Sequence, residues 1–144
     1  MKLSELLYKV QIKSVFGDIN NVEVNKVEFD SREIKSGDLF IAIHGTIVDG
    51  HNYIEQAIIN GAKSVILEKK PEIQLEGICY ILVESSSYSM SIVALNYYDA
   101  PSKKIKLVGV TGTNGKTTIV TLLYELFSAM GYPTGMLSTI KNKI

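Results

Sequence analysis

The sequence predicts an α/β protein with a small mixed-sheet domain, followed by the first strand, loop, helix and strand of a phosphate-loop domain. Apolar runs of strand length alternate with segments of helical period, and a glycine-containing loop separates the last long helix from the strand before it. At Pro101, proline and polar residues interrupt this pattern. We therefore expect a first domain over residues 1–100 and an incomplete second domain over residues 101–144.

Hydrophobic spacing predicts the elements of the first domain. A short helix opens the chain with Ser4 as its candidate cap, and its apolar face consists of Leu3, Leu6, Leu7 and Val10. Alternating apolar and polar residues predict a half-buried strand over residues 22–29. The remaining expected elements are a strand over 39–43, a helix over 52–62 that ends at Gly61, strands over 64–67 and 80–83, and a helix over 87–98.

The same pattern restarts beyond Pro101. Residues 105–110 are typical of a buried strand, and residues 134–139 begin another. The helix between them ends at Gly131, and its apolar face consists of Ile119, Leu122, Leu123, Leu126, Phe127 and Met130. A doubly wound nucleotide-binding domain needs several more such units to cover its sheet. We therefore expect an exposed apolar edge that promotes association of this chain.

The composition is that of a globular protein. Of the 144 residues, 46% are hydrophobic and 21% are charged, and the formal net charge is zero. Because no apolar run approaches the roughly 20 residues that span a bilayer, and the first residues lack the apolar core of a signal peptide, we expect a cytoplasmic protein without membrane association. The single cysteine, Cys79, lies in an apolar stretch, which predicts a buried and inert thiol.

Positive charge is concentrated near the end of the chain. After Pro101 there are one acid, Glu125, and six lysines, namely Lys103, Lys104, Lys106, Lys116, Lys141 and Lys143. Nucleic-acid binding needs a basic stripe interleaved with exposed aromatic residues, whereas these lysines fall in a linker, a loop and the chain end. We therefore expect a phosphate site and no nucleic-acid partner. His44 and His51 lack companions at metal-ligand spacing, so no zinc site is expected.

The loop before the last helix has the composition of a phosphate-binding loop. Gly112 and Gly115 let the backbone curl so that its N–H groups point inward. Lys116 is placed to reach the phosphates, and the hydroxyl of Thr117 is placed to hold Mg²⁺ at a helix N-terminus. The general pattern has a glycine where Val110 stands here. The alternative is a glycine turn that carries a lysine by coincidence.

Two separate motifs resemble one enzyme family. Residues 111–118, Thr-Gly-Thr-Asn-Gly-Lys-Thr-Thr, resemble the ATP loop of the Mur ligases, where the first generic glycine is not required. Residues 30–32, 37–42, 45, 49–51 and 57–62 resemble the uridine-diphosphate-binding N-terminal domain shared by the members of that family that add the third amino acid and the final dipeptide. The stretch 97–102, leading into the loop, is similar to the MurE type, which adds the third amino acid to the peptidoglycan precursor. The resemblance covers essentially the whole chain.

The resemblance implies an ATP-dependent ligase of peptidoglycan precursor synthesis. It implies addition of diaminopimelate or lysine to UDP-N-acetylmuramoyl-L-alanyl-D-glutamate through an acyl phosphate, with ATP and Mg²⁺ as cofactors and no obligate protein partner. The implied ATP-binding residues are Gly112, Thr113, Asn114, Gly115, Lys116, Thr117 and Thr118. Among them, Lys116 and Thr117 are the implied catalytic residues, and Thr117 is the implied Mg²⁺ ligand. We expect this chain alone to be inactive.

The family's contacts to the uridine diphosphate group map onto two places in the first domain. They are Phe29 and Ser31 after one predicted strand, and Thr46, Ile47 and Val48 after the next. The residues alone favour another interpretation of 30–32, a turn with a local Asp–Arg pair, because Asp and Ser favour turns. Only the resemblance makes this segment part of a binding site.

Three other functions remain open. The dipeptide-adding Mur ligases usually have serine at the position of Thr113 and Thr-Lys-Glu after the loop, which Ile119-Val120-Thr121 does not match. A binding module without catalytic activity in cell-wall synthesis is a second alternative. A complete small P-loop kinase or GTPase is a third, although the about 44 residues after Pro101 are too few to close a nucleotide domain.

Overall fold

The computed structural model of the chain describes residues 1–45, 48–71 and 73–144. Contacts divide the chain into two compact units, Met1–Lys104 and Ile105–Ile144. The first unit contains a sheet with helices on both faces, and the second contains one long helix with its flanking segments.

The first unit is built on a five-stranded mixed sheet. In chain order its elements are α1 (Leu3–Leu6), β1 (Ile12–Phe16), β2 (Val27–Glu28), β3 (Leu39–Ile41), a 3₁₀ turn (Gly50–Tyr53), α2 (Ile54–Ile59), β4 (Ser64–Leu67), β5 (Cys79–Val83), α3 (Ser86–Tyr97) and a second 3₁₀ turn (Pro101–Lys103). The spatial order is β1-β5-β4-β3-β2, with β1 antiparallel to β5 and the other pairs parallel. The carboxyl ends of β2 to β5 therefore lie at one edge.

Alternate residues of the central strands enter two separate apolar cores. On one face, Leu39 and Ile41 pack with residues of α1 and with Val93 of α3. On the other face, Phe40 packs with Ala57 of α2. Because side chains alternate along a strand, all the side chains of a central strand are buried when both faces of the sheet are covered. This explains why β3 and β4 are fully buried.

Several element boundaries differ from the predictions. Helix α1 is capped at Lys2, so the assignment of Ser4 as the cap was wrong. The predicted strand 22–29 pairs as a strand only at Val27–Glu28, and the predicted helix 52–62 is a 3₁₀ turn followed by α2. Strand β1 was missed. A register shift between Ile12 and Ser14 disrupts the alternation that would have marked it.

Gly61 ends the α2 region as the sequence predicts. Its φ angle is +115°, in the left-handed region that favours glycine. A Cβ atom added here would lie 2.7 Å from the Cα atom of Ser36. The backbone of Gly61 also accepts a 2.9 Å hydrogen bond from the N–H of Gly37. Glycine is therefore required both by the backbone angle and by the close approach of a neighbouring turn.

The second unit contains the predicted helix without the predicted strands. Helix α4 spans Lys116–Ala129, after a loop that ends at Gly115. Neither 105–110 nor 134–139 forms a strand in the described structure, although Met136 makes an isolated bridge with Lys143. A helix satisfies its hydrogen bonds within its own segment, whereas a strand requires a neighbouring strand. Among the residues described, these two segments have no such neighbour.

Candidate functional site

Two of the predicted binding segments meet at one edge of the first unit. Strands β2 and β3 pair in parallel, with Val27 opposite Leu39 and Glu28 opposite Phe40. Parallel strands end at the same edge of a sheet, and ligands of open α/β sheets bind outside that edge. The turn after β2 carries Phe29 and Ser31, and the loop after β3 carries Val48. The topology thus brings these predicted contacts to the same edge of the sheet.

The turn after β2 is ordered by its own side chains. The Asp30 carboxylate accepts hydrogen bonds from the Arg32 backbone N–H at 3.0 Å, from Nε at 2.9 Å and from Nη2 at 2.6 Å. These guanidinium and amide bonds of Arg32 lower the pKa of Asp30 to about 2. The local Asp–Arg pair suggested by the residues alone is therefore present. Its presence is compatible with binding, because it holds the intervening residue in place.

Ser31 and Phe29 have different environments. Ser31 is buried, with 7% of its surface exposed, whereas Phe29 is 62% exposed although it is a large apolar residue. The carbonyl oxygen of Ser31 accepts a 2.7 Å hydrogen bond from the side-chain amide of Asn60, at the end of α2. An exposed aromatic ring beside a fixed turn can stack on a flat ligand. Asn60 was missed in the sequence because nothing local links it to a turn 29 residues earlier.

The loop after β3 is closed at its base by backbone hydrogen bonds. The N–H of Gly45 donates to the carbonyl oxygen of Val48 at 3.0 Å, and the N–H of Gly50 donates to that of Ile43 at 2.8 Å. Val48 is 51% exposed. The other two predicted contacts, Thr46 and Ile47, lie outside the described residues.

The Asp49 carboxylate lies at the base of the same loop. It accepts hydrogen bonds from the His51 backbone N–H at 3.0 Å and contacts the His51 ring nitrogen Nδ1 at 2.6 Å. The ring of His44 lies 3.1 Å away on the other oxygen. The His51 amide, followed by the His51 ring, lowers the pKa of Asp49 below its ordinary range. Asp49 is therefore an ionised acceptor at neutral pH.

The predicted phosphate loop leads directly into α4 in the second unit. Gly112 and Gly115 have φ angles of +153° and +74°, and Gly115 caps the helix. Lys116 is the first helical residue, and its ammonium group donates hydrogen bonds to the carbonyl oxygens of Gly112 and, at 3.3 Å, Thr113. Thr117 is half-buried in the first turn, and Asn114 and Thr118 are exposed.

This arrangement has the chemical groups that a nucleotide phosphate requires. The N-terminus of a 14-residue helix presents free N–H groups and a partial positive charge. The ammonium of Lys116 lies over the loop, and apart from the adjacent residues no described part of the chain comes within 4 Å of where a Cβ of Gly115 would be. Oxygen atoms can therefore approach the backbone here, and the hydroxyl of Thr117 is available to a hard cation such as Mg²⁺. The residues of this loop therefore fit the nucleotide phosphate and Mg²⁺ that the sequence predicts.

Other kinds of site find little support within the described ranges. Residues 1–45, 48–71 and 73–144 contain no cluster of three or more His, Cys, Asp or Glu side chains able to hold a metal. None of the helices in these ranges is long and apolar enough to span a membrane. Cys79 is buried in β5, as predicted, and burial raises the pKa of its thiol to about 11.

Comparison with known families gives matches over most of the chain. The model described as "Mur ligase family, catalytic domain" matches residues 23–110, which is more than half of the chain. The model described as "Mur ligase middle domain" matches residues 110–144. The second match begins at the end of the apolar run that precedes the phosphate loop.

Individual relatives agree with these matches. A UDP-N-acetylmuramoyl-L-alanyl-D-glutamate--2,6-diaminopimelate ligase from Cytophaga hutchinsonii is 49% identical over 100% of this chain and 30% of its own length. A solved structure of an enzyme with that name has a TM-score of 0.69 at 24% identity, over 100% of this chain and 28% of that one, and shows similarity of fold. The MurF ligase of Thermotoga maritima, solved in complex with ADP, has a TM-score of 0.54 at 31% identity, over 76% of this chain and 25% of that one. The chain thus spans about 30% of the length of the curated relative.

Proposed function

Because the chain belongs to the Mur ligase family, we propose that it is the nucleotide-binding and precursor-binding part of an ATP-dependent ligase of the MurE type. The proposed reaction joins an amino acid to UDP-N-acetylmuramoyl-L-alanyl-D-glutamate in peptidoglycan precursor synthesis. The 49% identical relative is named for 2,6-diaminopimelate, which is therefore the amino acid to test first, with lysine as its competitor. The observation that carries the proposal is the loop geometry, in which left-handed Gly115 leads into α4 and the Lys116 ammonium lies over the loop.

The second unit is the proposed ATP site, within a domain assigned to residues 101–144. Backbone N–H groups from Gly112 to Gly115 surround the phosphates, and Lys116 contributes a mobile positive charge that exchanges its present carbonyl partners for phosphate oxygens. The Thr117 hydroxyl holds Mg²⁺, and Thr118 contributes at the helix start. ATP supplies the phosphoryl group that activates the precursor carboxylate. The residues act by positioning and by neutralising charge, which is the main protein contribution in phosphoryl transfer.

The first unit is the proposed site for the uridine diphosphate group, within a domain assigned to residues 1–100. Phe29 offers an exposed ring for stacking, and Ser31 offers a hydroxyl on a turn fixed by its neighbours. Val48 and the proposed contacts Thr46 and Ile47 belong to the loop after the adjacent parallel strand. We further propose a cytoplasmic location in bacteria, where ATP and the nucleotide-linked precursor are both soluble, without a nucleic-acid, membrane or obligate protein partner.

Calorimetric titration tests the proposal at each site separately. UDP-N-acetylmuramoyl-L-alanyl-D-glutamate and Mg-ATP are titrated in turn into the full-length protein, which is also assayed for addition of diaminopimelate, lysine or a D-alanyl-D-alanine dipeptide. We expect both ligands to bind, the precursor to bind more weakly to Ser31→Ala, and the exposed control Ser102→Ala to behave as the native protein. Absence of precursor binding, or preference for the dipeptide, contradicts the MurE-type assignment.

A further inference from the structure

The segment Asp49-Gly50-His51 connects the loop after β3 to the end of β4 and, through Glu68, to the start of α3. The ring nitrogen Nδ1 of His51 contacts Asp49, and its Nε2 accepts a 2.9 Å hydrogen bond from the backbone N–H of Glu68, just after β4. The side chain of Glu68 in turn accepts a 2.7 Å bond from the N–H of Ser86, the first residue of α3. Loop, strand end and helix start are therefore joined in one hydrogen-bonded chain.

The two partners of His51 determine its tautomer. The ionised carboxylate of Asp49 can only accept, so Nδ1 must carry the hydrogen. The N–H of Glu68 can only donate, so Nε2 must present a lone pair. The ring is therefore neutral and bonded on both sides, and only 10% of its side chain is exposed. A ring so enclosed cannot rotate without breaking both bonds.

Gly50 is also required by this geometry. A Cβ atom there would lie 2.8 Å from the backbone nitrogen of Ile43 and 2.9 Å from its carbonyl oxygen. Glycine allows the returning chain to lie against the end of β3, which places His51 over the end of β4. The three residues of the segment thus contribute differently, because Asp49 fixes the ring, Gly50 allows close approach, and His51 connects to the neighbouring strand.

We propose that His51 is a positioning residue for the uridine diphosphate site. The base of the loop that carries Val48 is closed by its own backbone bonds, and His51 fixes that closed base against the adjoining strand. The base of the loop, at Gly45 and Val48, is thereby fixed before ligand arrives, which lowers the entropy lost on binding. This inference rests on the proposed function, since it concerns the same ligand. His51 would act on the site without touching the ligand.

Matched substitutions separate the two hydrogen bonds of the ring. His51→Asn keeps a donor near the position of Nδ1, and His51→Gln keeps an acceptor near the position of Nε2, whereas His51→Ala keeps neither. With uridine diphosphate as the probe, we expect His51→Ala to raise the Kd about tenfold and His51→Gln to recover part of the loss, because Gln still accepts from Glu68. His44→Ala removes an exposed ring from the same carboxylate and should change the Kd less than about twofold.

Two measurements on the free protein test the connection without any ligand. Nitrogen-15 NMR of the imidazole should show hydrogen on Nδ1 and not on Nε2, and the Glu68 amide should exchange faster in His51→Ala than in the native protein. Hydrogen on Nε2, unchanged exchange at Glu68, or native affinity for uridine diphosphate in a folded His51→Ala variant overturns the inference. If the native protein does not bind uridine diphosphate while the NMR results are as expected, the proposed function fails, and the inference about binding fails with it.

Mg-ATP binding serves as the internal control for these variants. Its Kd should stay within about twofold of the native value, because the substitutions lie in the first unit and the phosphate loop lies in the second. A parallel loss of Mg-ATP affinity would identify a general folding defect and would overturn the specific positioning role.

Discussion

The side-chain amide of Asn60 donates a 2.7 Å hydrogen bond to the carbonyl oxygen of Ser31, which joins the end of α2 to the turn after β2. Replacing Asn60 with alanine removes the donor of this partly buried hydrogen bond. We expect Asn60→Ala to lower the free energy of unfolding by about 1–2 kcal/mol and to weaken binding of uridine diphosphate, because the turn that carries Ser31 is less well fixed. Urea denaturation and calorimetric titration measure the two effects.

Gln56→Ala is the matched control for that prediction. The Gln56 side chain donates a 3.0 Å hydrogen bond to the side-chain oxygen of Asn60, whereas the bond to Ser31 comes from the side-chain nitrogen of Asn60. Its removal should change stability by less than about 0.5 kcal/mol because this hydrogen bond is exposed. Equal effects of Gln56→Ala and Asn60→Ala on uridine diphosphate affinity would show that the bond to Ser31 is unimportant.

The Asp30–Arg32 pair predicts a specific titration. Hydrogen bonds from Arg32 lower the pKa of Asp30 to about 2, from an ordinary value of 3.8. A depressed pKa means that folding favours the ionised carboxylate, so its contribution is present above about pH 4 and is lost as the pH falls toward 2. Carbon-13 NMR should report a carboxyl pKa that returns toward 3.8 in Arg32→Ala.

Arg32→Lys distinguishes charge from geometry in this pair. Lysine keeps the positive charge but lacks the planar fork that bonds both carboxylate oxygens. We expect an Asp30 pKa between those of the native protein and Arg32→Ala. A native pKa in both variants would mean that the backbone N–H of residue 32, which remains in each, is responsible for the whole shift.

A comparison of Gly61 and Gly77 separates two destabilising effects of a side chain at a positive φ angle, namely backbone strain and steric overlap of the added Cβ atom. The φ angles of the two glycines are +115° and +80°, but an added Cβ meets the Ser36 backbone at Gly61, whereas at Gly77 it meets no non-adjacent residue of the described ranges within 4 Å. We expect Gly77→Ala to cost about 1–2 kcal/mol, and Gly61→Ala about 2–4 kcal/mol because steric overlap is added. Chemical denaturation measures both. Equal costs would indicate that the turn at Ser36 yields without penalty.

The sequence predicted those elements whose signal is local or continuous. Strand β4 was predicted at its observed bounds because Ser64 is followed by a continuous apolar run, and α4 was predicted from one apolar face between glycines. The predicted strand 22–29 was too long. Val24 is buried there, but its N–H bonds to the carbonyl oxygen of Met1 and not to a neighbouring strand. The alternation of apolar and polar residues therefore indicated which side chains are buried. It could not indicate strand pairing, which depends on hydrogen bonds to a neighbouring strand.

In the candidate sites, too, local features were predicted from the sequence and contacts between distant residues were not. The glycine turn and the helix start at Lys116 were predicted because they lie within eight consecutive residues, 111–118. The bond from Asn60 to Ser31 spans 29 residues, and that from Glu68 to His51 spans 17. Such contacts are created by the folded sheet, which brings the ends of β2, β3 and β4 together. These two hydrogen bonds cannot be predicted from the spacing of residues along the chain.

Lys116 is the residue on which the proposed ATP site depends most. Its ammonium now bonds to the carbonyl oxygens of Gly112 and Thr113, and phosphate oxygens would replace these neutral acceptors with charged ones. A hydrogen bond to a charged partner contributes about 1.5–3 kcal/mol, so Lys116→Ala should weaken Mg-ATP binding about 10- to 100-fold. Isothermal titration measures the affinity, and release of ADP by the full-length protein measures turnover.

Two lysine controls complete the test of the phosphate loop. Lys116→Arg keeps the charge on a bulkier group and should retain more ATP affinity than alanine, although less than the native lysine. Lys106→Ala removes an exposed lysine of the same unit that lies outside the loop, and it should leave Mg-ATP affinity within about twofold. Native turnover in Lys116→Ala would mean that this lysine is not needed for ATP binding. An equal loss of affinity in Lys106→Ala would mean that general positive charge attracts the nucleotide. The curled loop before α4 would then have no special part in binding it.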